Sequence, residues 1–297
     1  MSAGAAAPAA PRTGLAKFLE LQNLGLNLPF AIAFLLLAAG GWPTWRTALL
    51  VVIAFVAARN AGHSFNRYAD RRLDAANPRT QGRALVTGER SPAFAVGFAA
   101  FNGAILVVAA YLLNPLAFVL APVALALVFG YSYTKRVTSF TTAFLGIVEA
   151  ATPAAVYIAV RGTLPVDVFV AVAALLAWGT AFETVHSLGD LESDRALGLF
   201  SLPLRLGARA SVRLVAALHA VALGLLAAFG LLLDLSLPYY AALVAMGALA
   251  AATDVALAAR PTEARLPFDR HIALGGLFLA GVVVAVFVPS AAVVRFG

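Results

Sequence analysis

The chain has 297 residues, of which 62% are hydrophobic and 12% are charged. Soluble domains average about 45–50% apolar and about 25% charged residues, so this composition excludes a soluble protein and indicates a polytopic membrane protein. Cysteine is absent, which excludes disulfides, thiolate chemistry and cysteine-bound zinc. The net charge is +7. Because the basic residues flank membrane segments, this charge indicates anionic lipids or phosphorylated ligands as binding partners rather than nucleic acid.

The first residues are rich in alanine and proline, and residues 1–17 are predicted to be a disordered tail without a cleavable signal peptide. Beyond the tail, nine apolar stretches are long enough to span a bilayer, which predicts nine transmembrane helices. Their predicted bounds are 18–40, 45–65, 92–112, 115–133, 140–160, 165–188, 209–233, 238–259 and 270–289.

Lysine and arginine are distributed unequally between the two sets of connections. The N-terminal tail and the connections after the even-numbered spans contain 17 of them, whereas the opposite connections contain only Arg46, Arg161 and Arg295. By the positive-inside rule, the N-terminus and the charged loops are cytoplasmic and the C-terminus lies outside.

The most polar stretch, NRYADRRLDAANPRTQGR at 66–83, follows the second span. Read as a helix, it places Asn66, Asp70 and Asp74 four residues apart and therefore on one face, with arginines around them. Adjacent carboxylates repel unless a cation lies between them, and hard divalent ions such as Mg²⁺ prefer oxygen ligands of this kind. The alternative interpretation is a solvated helix end with alternating charges.

Two further polar clusters follow later even-numbered spans. YSYTKR at 131–136 ends the fourth, and HSLGDLESDRALGLFSLPLRLG at 186–207 ends the sixth, again with two aspartates, Asp190 and Asp194, four residues apart. All three clusters are therefore predicted on the cytoplasmic face. Two facing aspartate pairs would coordinate Mg²⁺ ions that bridge a diphosphate, and the neighbouring cations would neutralise its remaining charge as it departs.

Several ionisable residues are predicted within the spans. Arg59, Glu149 and Glu183 are expected to face a cavity or a partner, because ionisable side chains are costly inside a membrane. Asp254, late in the eighth span, is predicted to snorkel or to pair with another helix. The histidines that flank the motifs, His63 and His186, are interpreted as packing residues.

The chain resembles the UbiA superfamily of intramembrane prenyltransferases in three motifs: N-x-x-x-D-x-x-x-D with N-P-R-T-x-G-R at 66–83, Y-x-Y-T-K-R at 131–136, and D-x-E-x-D-R-x-x-G with S-L-P-x-R-x-G at 190–207. The resemblance implies an all-α membrane protein with one domain over residues 18–297. It implies a bundle of nine transmembrane helices around a central cavity with cytoplasmic cap loops. The implied activity is an Mg²⁺-dependent transfer of a polyprenyl group from a polyprenyl diphosphate, at a site that faces the cytoplasm in the cell membrane.

The same resemblance implies roles for individual residues. The implied metal ligands are Asp70, Asp74, Asp190, Asp194 and Asn66. The implied catalytic residues are Asp70, Asp74, Asp190, Asp194 and Lys135. The implied substrate contacts are Arg59, Asn66, Arg79, Arg83, Tyr131, Lys135 and Arg136.

Residues 58–88 are most similar to the branch of the superfamily that prenylates aromatic acids in quinone biosynthesis, which includes the 4-hydroxybenzoate polyprenyltransferases. Alternative acceptors are a dihydroxynaphthoate, a glycerol phosphate ether, and a porphyrin or chlorin. The start of the first span departs from the family, because it lacks the arginine or histidine often found there. An ion-coupled transporter is the alternative of another class, but the acids gather at one face instead of the midplane.

Overall fold

In the computed structural model, which describes residues 15, 18, 24–263 and 265–288, the described chain contains helices and no β-strand. The all-α class predicted from the sequence is therefore confirmed. Most of the predicted tail, residues 1–17, lies outside the described residues. The helices, numbered in chain order, are α1 Leu24–Ala39, α2 Trp45–Ala76, α3 Pro92–Leu113, α4 Pro115–Gly130, a 3₁₀ helix Tyr131–Arg136, α5 Thr141–Arg161, α6 Val168–Gly189, α7 Leu191–Ala196, α8 Leu202–Leu206, α9 Ala208–Leu232, α10 Leu237–Ala259 and α11 Arg265–Phe287.

Eight helical segments of the described chain are long and apolar enough to cross a membrane, and α1 is a further apolar helix of 16 residues. Together they correspond to the nine predicted spans. The 3₁₀ helix continues α4 and belongs to the fourth of these segments. The chain is therefore an integral multi-pass membrane protein.

Helix α2 continues to Ala76, well beyond the predicted end of the second span at residue 65. The backbone hydrogen bonds of a helix continue past the end of an apolar stretch, so α2 carries Asn66, Asp70 and Asp74 on its last turns. It ends at Asn77, whose backbone is extended (φ −99°, ψ 118°), because the following Pro78 disfavours the helical conformation.

Asn114 separates α3 from α4, between the predicted spans 92–112 and 115–133. Its side-chain oxygen accepts a hydrogen bond from the Ala117 amide at 2.9 Å, which caps α4. Its Nδ2 also donates to the carbonyl oxygen of Ile158 at 2.8 Å. The break between the two spans is therefore tied to the end of α5.

Consecutive long helices pack side by side, and the ring closes where α11 packs against α1. Helix α6 contacts α5, α9 and α11, and it is the most buried of the eight long apolar segments of the described chain. It approaches α5 closely at two glycines: a Cβ atom on Gly179 would lie 3.1 Å from the Cα atom of Gly146. This close approach fixes the position of two walls of the site described below.

A buried polar chain links the last three long helices. His219 of α9 lies 3.0 Å through Nδ1 from Asp254 of α10, and its Nε2 lies 3.3 Å from Nε2 of His271 in α11. Both histidines are almost fully buried. Asp254 therefore pairs with a neighbouring helix, as predicted.

Candidate active site

A polar cavity of about 280 Å³ lies where the ends of α2, α6 and the 3₁₀ helix meet. It brings together two acidic groups that are more than one hundred residues apart in the sequence. The predicted site residues that line it are Arg59, Asn66, Asp70, Asp74, Arg79, Arg83, Tyr131, Lys135, Asp190 and Asp194. Arg136, the remaining predicted site residue, contacts Asp70 instead.

The carboxylate of Asp70 on α2 is contacted by hydrogen-bond donors and positively charged side chains. Its carboxylate lies 2.7 Å from Nζ of Lys135 and 3.0 Å from Nη2 of Arg136, and Asn66 donates to it from Nδ2 at 3.1 Å. The side chain is 3% exposed, and a buried carboxylate needs such partners to remain charged. The 3₁₀ helix after α4 is what places both cations beside α2.

Asp74 lies one turn further along α2 and pairs with the loop that follows the helix. Nη1 of Arg83 is 2.6 Å from its Oδ1. The hydroxyl of Thr80 donates to the main-chain carbonyl of Asp74 at 3.0 Å, so it uses a carbonyl left free at the helix end. The loop therefore folds back over its own helix and carries Arg83 into the site.

Asp190, directly after α6, joins the two acidic motifs. Arg79 donates to it through two parallel hydrogen bonds, from Nε at 2.8 Å and from Nη2 at 2.6 Å, which is the strong forked geometry of an arginine with a carboxylate. Asn77 adds a third at 3.1 Å. Burial alone would raise the pKa of Asp190, but the hydrogen bonds and charge of Arg79 lower it below its usual value.

Asp194 lies one turn after Asp190, in the short helix α7, where its amide donates to the Asp190 carbonyl at 2.8 Å. Among the described residues, its carboxylate has neither a hydrogen bond nor an ion pair. Burial and the neighbouring charge of Asp190 raise the pKa of Asp194 to about 6. It is the carboxylate of the four that is open to the cavity.

The donor set fits magnesium, because carboxylate and amide oxygens are the hard ligands that this ion prefers. In the described part of the chain, no three acidic or histidine side chains stand close enough to enclose a metal by themselves. Proteins usually bind Mg²⁺ through one or two carboxylates together with substrate phosphates, rather than in an all-protein cage. The arrangement therefore fits a metal that is shared with a phosphorylated ligand.

Towards the membrane interior, the lining of the site changes from polar to mainly apolar. Arg59, Tyr131 and Glu149 line both the polar cavity and a second, mainly apolar cavity of about 270 Å³ between α2, α3, α4 and α5. Glu183 of α6 lines the polar cavity. The site thus combines carboxylates with cations at its outer end, and it is mainly apolar at its inner end, where Arg59, Glu149 and Glu183 are among the polar groups.

Some residues of the cavity were not placed in the site from the sequence. Asn77 and Thr80 fall within the N-P-R-T motif, and that motif was the signal that could have identified them. Arg67, 5% exposed, also lines the cavity. His63 and His186, interpreted as packing residues, line it as well.

Two arginines of the same polar stretch lie outside the cavity lining. Arg71 donates to the Tyr68 carbonyl at 2.7 Å and stacks over the Tyr68 ring, and Arg72 is exposed. Arg71 and Arg72 follow Asp70 by one and two positions, so they lie on other sides of the helix than Asp70.

Comparisons with known proteins agree with one another. The family description "UbiA prenyltransferase family" matches residues 27–273. The chain is 33% identical over 205 residues to a 4-hydroxybenzoate octaprenyltransferase of Shewanella loihica, covering 69% of this chain and 71% of that protein. It is also 33% identical over 233 residues to the Thiobacillus denitrificans protein of the same name, covering 76% of this chain and 79% of that protein.

Two solved structures share the fold. The apo structure of a UbiA homolog from Aeropyrum pernix K1 is 30% identical and has a TM-score of 0.81, covering 89% of this chain and 98% of that chain. A UbiA homolog from Archaeoglobus fulgidus, bound to DMAPP and Mg²⁺, is 18% identical with a TM-score of 0.71, covering 93% of this chain and 99% of that chain. The second likeness concerns the fold alone.

Proposed function

The chain belongs to the UbiA prenyltransferase family, and from this membership we propose that it is an Mg²⁺-dependent prenyltransferase. It transfers a polyprenyl group from an allylic polyprenyl diphosphate to an aromatic acid of the 4-hydroxybenzoate type, the acceptor for which its Shewanella and Thiobacillus relatives are named. The reaction breaks the bond between the allylic carbon and the diphosphate oxygen, forms a carbon–carbon bond to the ring, and releases one ring proton.

The observation that carries this proposal is the convergence of two acidic motifs on one cavity that also contains cations. Asp70 and Asp74 from α2 line it together with Asp190 and Asp194 from beyond α6. The basic residues that pair with these carboxylates are Arg79, Arg83, Lys135 and Arg136. A mixed set of carboxylates and cations suits a ligand that is itself a metal-bound polyanion.

The basic residues hold and stabilise the diphosphate. Arg79 presents a planar fork that matches phosphate oxygens as well as it matches Asp190, and its side chain is 46% exposed, so a ligand in the cavity can reach it. Lys135 supplies a compact positive charge at the opposite wall. When bound at the aspartates, Mg²⁺ supplies further positive charge that neutralises the departing diphosphate.

The apolar cavity shields the allylic carbon and receives the prenyl chain. Its walls come from residues such as Phe55, Leu127 and Leu145, which exclude water from a carbocation that water would otherwise capture. Longer chains continue among the helices or into the lipid. The charge distribution of the loops supports a cytoplasmic opening of the polar cavity in the cell membrane.

Product analysis tests this proposal directly. Purified protein in detergent is incubated with geranyl diphosphate, Mg²⁺ and 4-hydroxybenzoate, and products are identified by mass. We expect a C-geranylated acid and one diphosphate per product, both lost on chelation of the metal. A product formed only with a dihydroxynaphthoate or a glycerol phosphate ether would reassign the acceptor, and no diphosphate release with any acceptor would favour a transporter.

Replacing Lys135 by alanine is expected to raise the KM for the prenyl diphosphate about 10- to 100-fold, because a hydrogen bond to a charged group contributes about 1.5–3 kcal/mol. Arg136 continues to pair with Asp70 at 3.0 Å, so the fold persists. Steady-state kinetics with varied geranyl diphosphate measures the change, and Lys135→Arg, which keeps the charge, is the conservative control. An unchanged KM in the alanine variant would remove Lys135 from the diphosphate site.

A further inference from the structure

Glu183 is a carboxylate in the membrane-spanning part of α6 that the proposed diphosphate chemistry does not use. It lies seven residues before Asp190, which places it on the same face of the helix and about 10 Å deeper along its axis. It lines the same polar cavity as the four aspartates. An ionisable group at this depth is costly, and such groups generally serve a function.

The charged and titratable groups around Glu183 come from several elements. Glu149 of α5, Asp190, Lys135 and Arg79 act on its charge, and Tyr131 also lies within electrostatic range. His186, one turn along α6, lines the cavity beside it. Within the described part of the chain, no hydrogen bond holds the Glu183 carboxylate.

Glu149, the other acid at this depth, is held in place. Asn27 of α1 donates from Nδ2 to its Oε1 at 3.3 Å. A Cβ atom added to Gly179 would lie 2.5 Å from Oε2 of Glu149, so the Glu149 side chain packs against the surface of α6. Of the two acids at the inner end, Glu149 is thus engaged in helix packing, and Glu183 is available to a ligand.

The position of Glu183 corresponds to the level at which the acceptor ring must lie. In the proposed function, the diphosphate binds at the outer end, between the aspartates, and the prenyl chain binds in the apolar cavity at the inner end. The acceptor meets the allylic carbon between these two regions, beside Arg59 and Glu183. A carboxylate repels the acceptor's own carboxylate, so at this level it faces the hydroxyl-bearing edge of the ring.

We infer that Glu183 is the base that accepts the proton lost by the aromatic acceptor; this inference rests on the proposed function. The diphosphate leaves with the electron pair of the broken carbon–oxygen bond, and the ring carbon forms the new bond to the allylic carbon. The electrons of the carbon–hydrogen bond at that position then return to the ring. The proton moves to a carboxylate oxygen of Glu183, which becomes a neutral acid.

Kinetic isotope effects on Glu183→Gln test the assignment. General bases contribute about 10²–10⁴-fold to rate, so we expect kcat to fall by about that factor, with the KM for geranyl diphosphate unchanged. With 4-hydroxybenzoate deuterated on the ring beside the hydroxyl, E183Q is expected to show a primary isotope effect larger than that of the wild type, because proton loss becomes rate-limiting. A purely structural role would lower the rate without changing the isotope effect.

Two further variants make the test decisive. Glu183→Asp keeps the acid but retracts it by one methylene, and we expect an intermediate rate and an intermediate isotope effect even if E183Q does not fold. Glu263→Gln, the same change at an exposed residue (66%), is expected to behave as the wild type. A kcat of E183Q within about twofold of the wild type, or a lower rate with the isotope effect unchanged, would overturn the inference. A wild-type protein that does not prenylate 4-hydroxybenzoate would instead refute the proposed function.

Discussion

Replacing Asp70 by asparagine is expected to lower prenyl transfer by about 10³-fold or more, the largest effect of any single change at the outer end of the site. The substitution removes one ligand of the proposed metal site and half of the acidic pair on α2. The loss of a single preorganised electrostatic contact already costs about 10²–10³-fold in rate. Asn66 and the basic partners of Asp70 stay in place, so the loss falls on binding of the metal and stabilisation of the diphosphate.

The fold is expected to survive this change. Breaking a buried ion pair costs about 3–5 kcal/mol when it leaves a buried charge without compensation. Here Lys135 and Arg136 are each 30% exposed, and Arg136 also donates to the Ala69 carbonyl at 2.6 Å. Both cations therefore keep solvent or other partners, and the asparagine retains the shape of the aspartate.

The measurement is kcat over a range of Mg²⁺ concentrations, with size-exclusion elution and apparent Tm as checks on folding. The matched control is Asp234→Asn in the loop between α9 and α10, an exposed position with φ of 51° that asparagine adopts readily. We expect the control to keep wild-type turnover. Near-normal turnover of Asp70→Asn at low Mg²⁺ would contradict the metal assignment.

Replacing Gly146 by leucine is expected to be the most damaging change to the fold. A Cβ atom at this position would meet the Thr180 hydroxyl oxygen, and it would lie 3.0 Å from both the Leu176 carbonyl oxygen and the Thr180 amide nitrogen. Main-chain atoms of α6 cannot move away as a flexible side chain can. The two helices must separate, at a cost of about 3 kcal/mol or more for an overpacked interior.

The separation also reaches the active site, because Glu149 lies three residues further along α5 and packs against Gly179. We therefore expect a lower yield of monodisperse protein, a lower apparent Tm and lower activity in the protein that does fold. Gly224→Leu is the matched control, since a Cβ atom there has no atom within 4 Å and the residue is exposed on α9. Equal apparent Tm values for the two variants would show that α5 and α6 do not need to touch at Gly146.

The spans, and the placement of the three motifs at one end of the bundle, followed from the sequence for a simple physical reason. A bilayer requires about 20 apolar residues per crossing helix, so the alternation of apolar stretches and charged loops defines the helices and the face on which each motif lies. The second span was predicted to end at residue 65 and the polar stretch after it was read as a helix. The structure joins the two in one helix that ends at Ala76, because an apolar stretch reports where a helix leaves the lipid and not where its hydrogen bonds stop. The Asn77–Pro78 pair was the better signal for that end.

What the sequence determined by itself was therefore the class of the fold, the approximate course of the spans and the ionisable residues of the three motifs, since these depend on composition and on spacing along the chain. The tertiary structure decided which side chains meet: Arg79 reaches Asp190, 111 residues away, and Lys135 reaches Asp70. It also separated Arg71, which turns away from the cavity, from Arg67, which lines it. Only packing distinguished the two glutamates: Asn27 holds Glu149, whereas Glu183 is open to a ligand in the cavity. The physical reason is that the atoms around a buried ionisable group determine what it can bind.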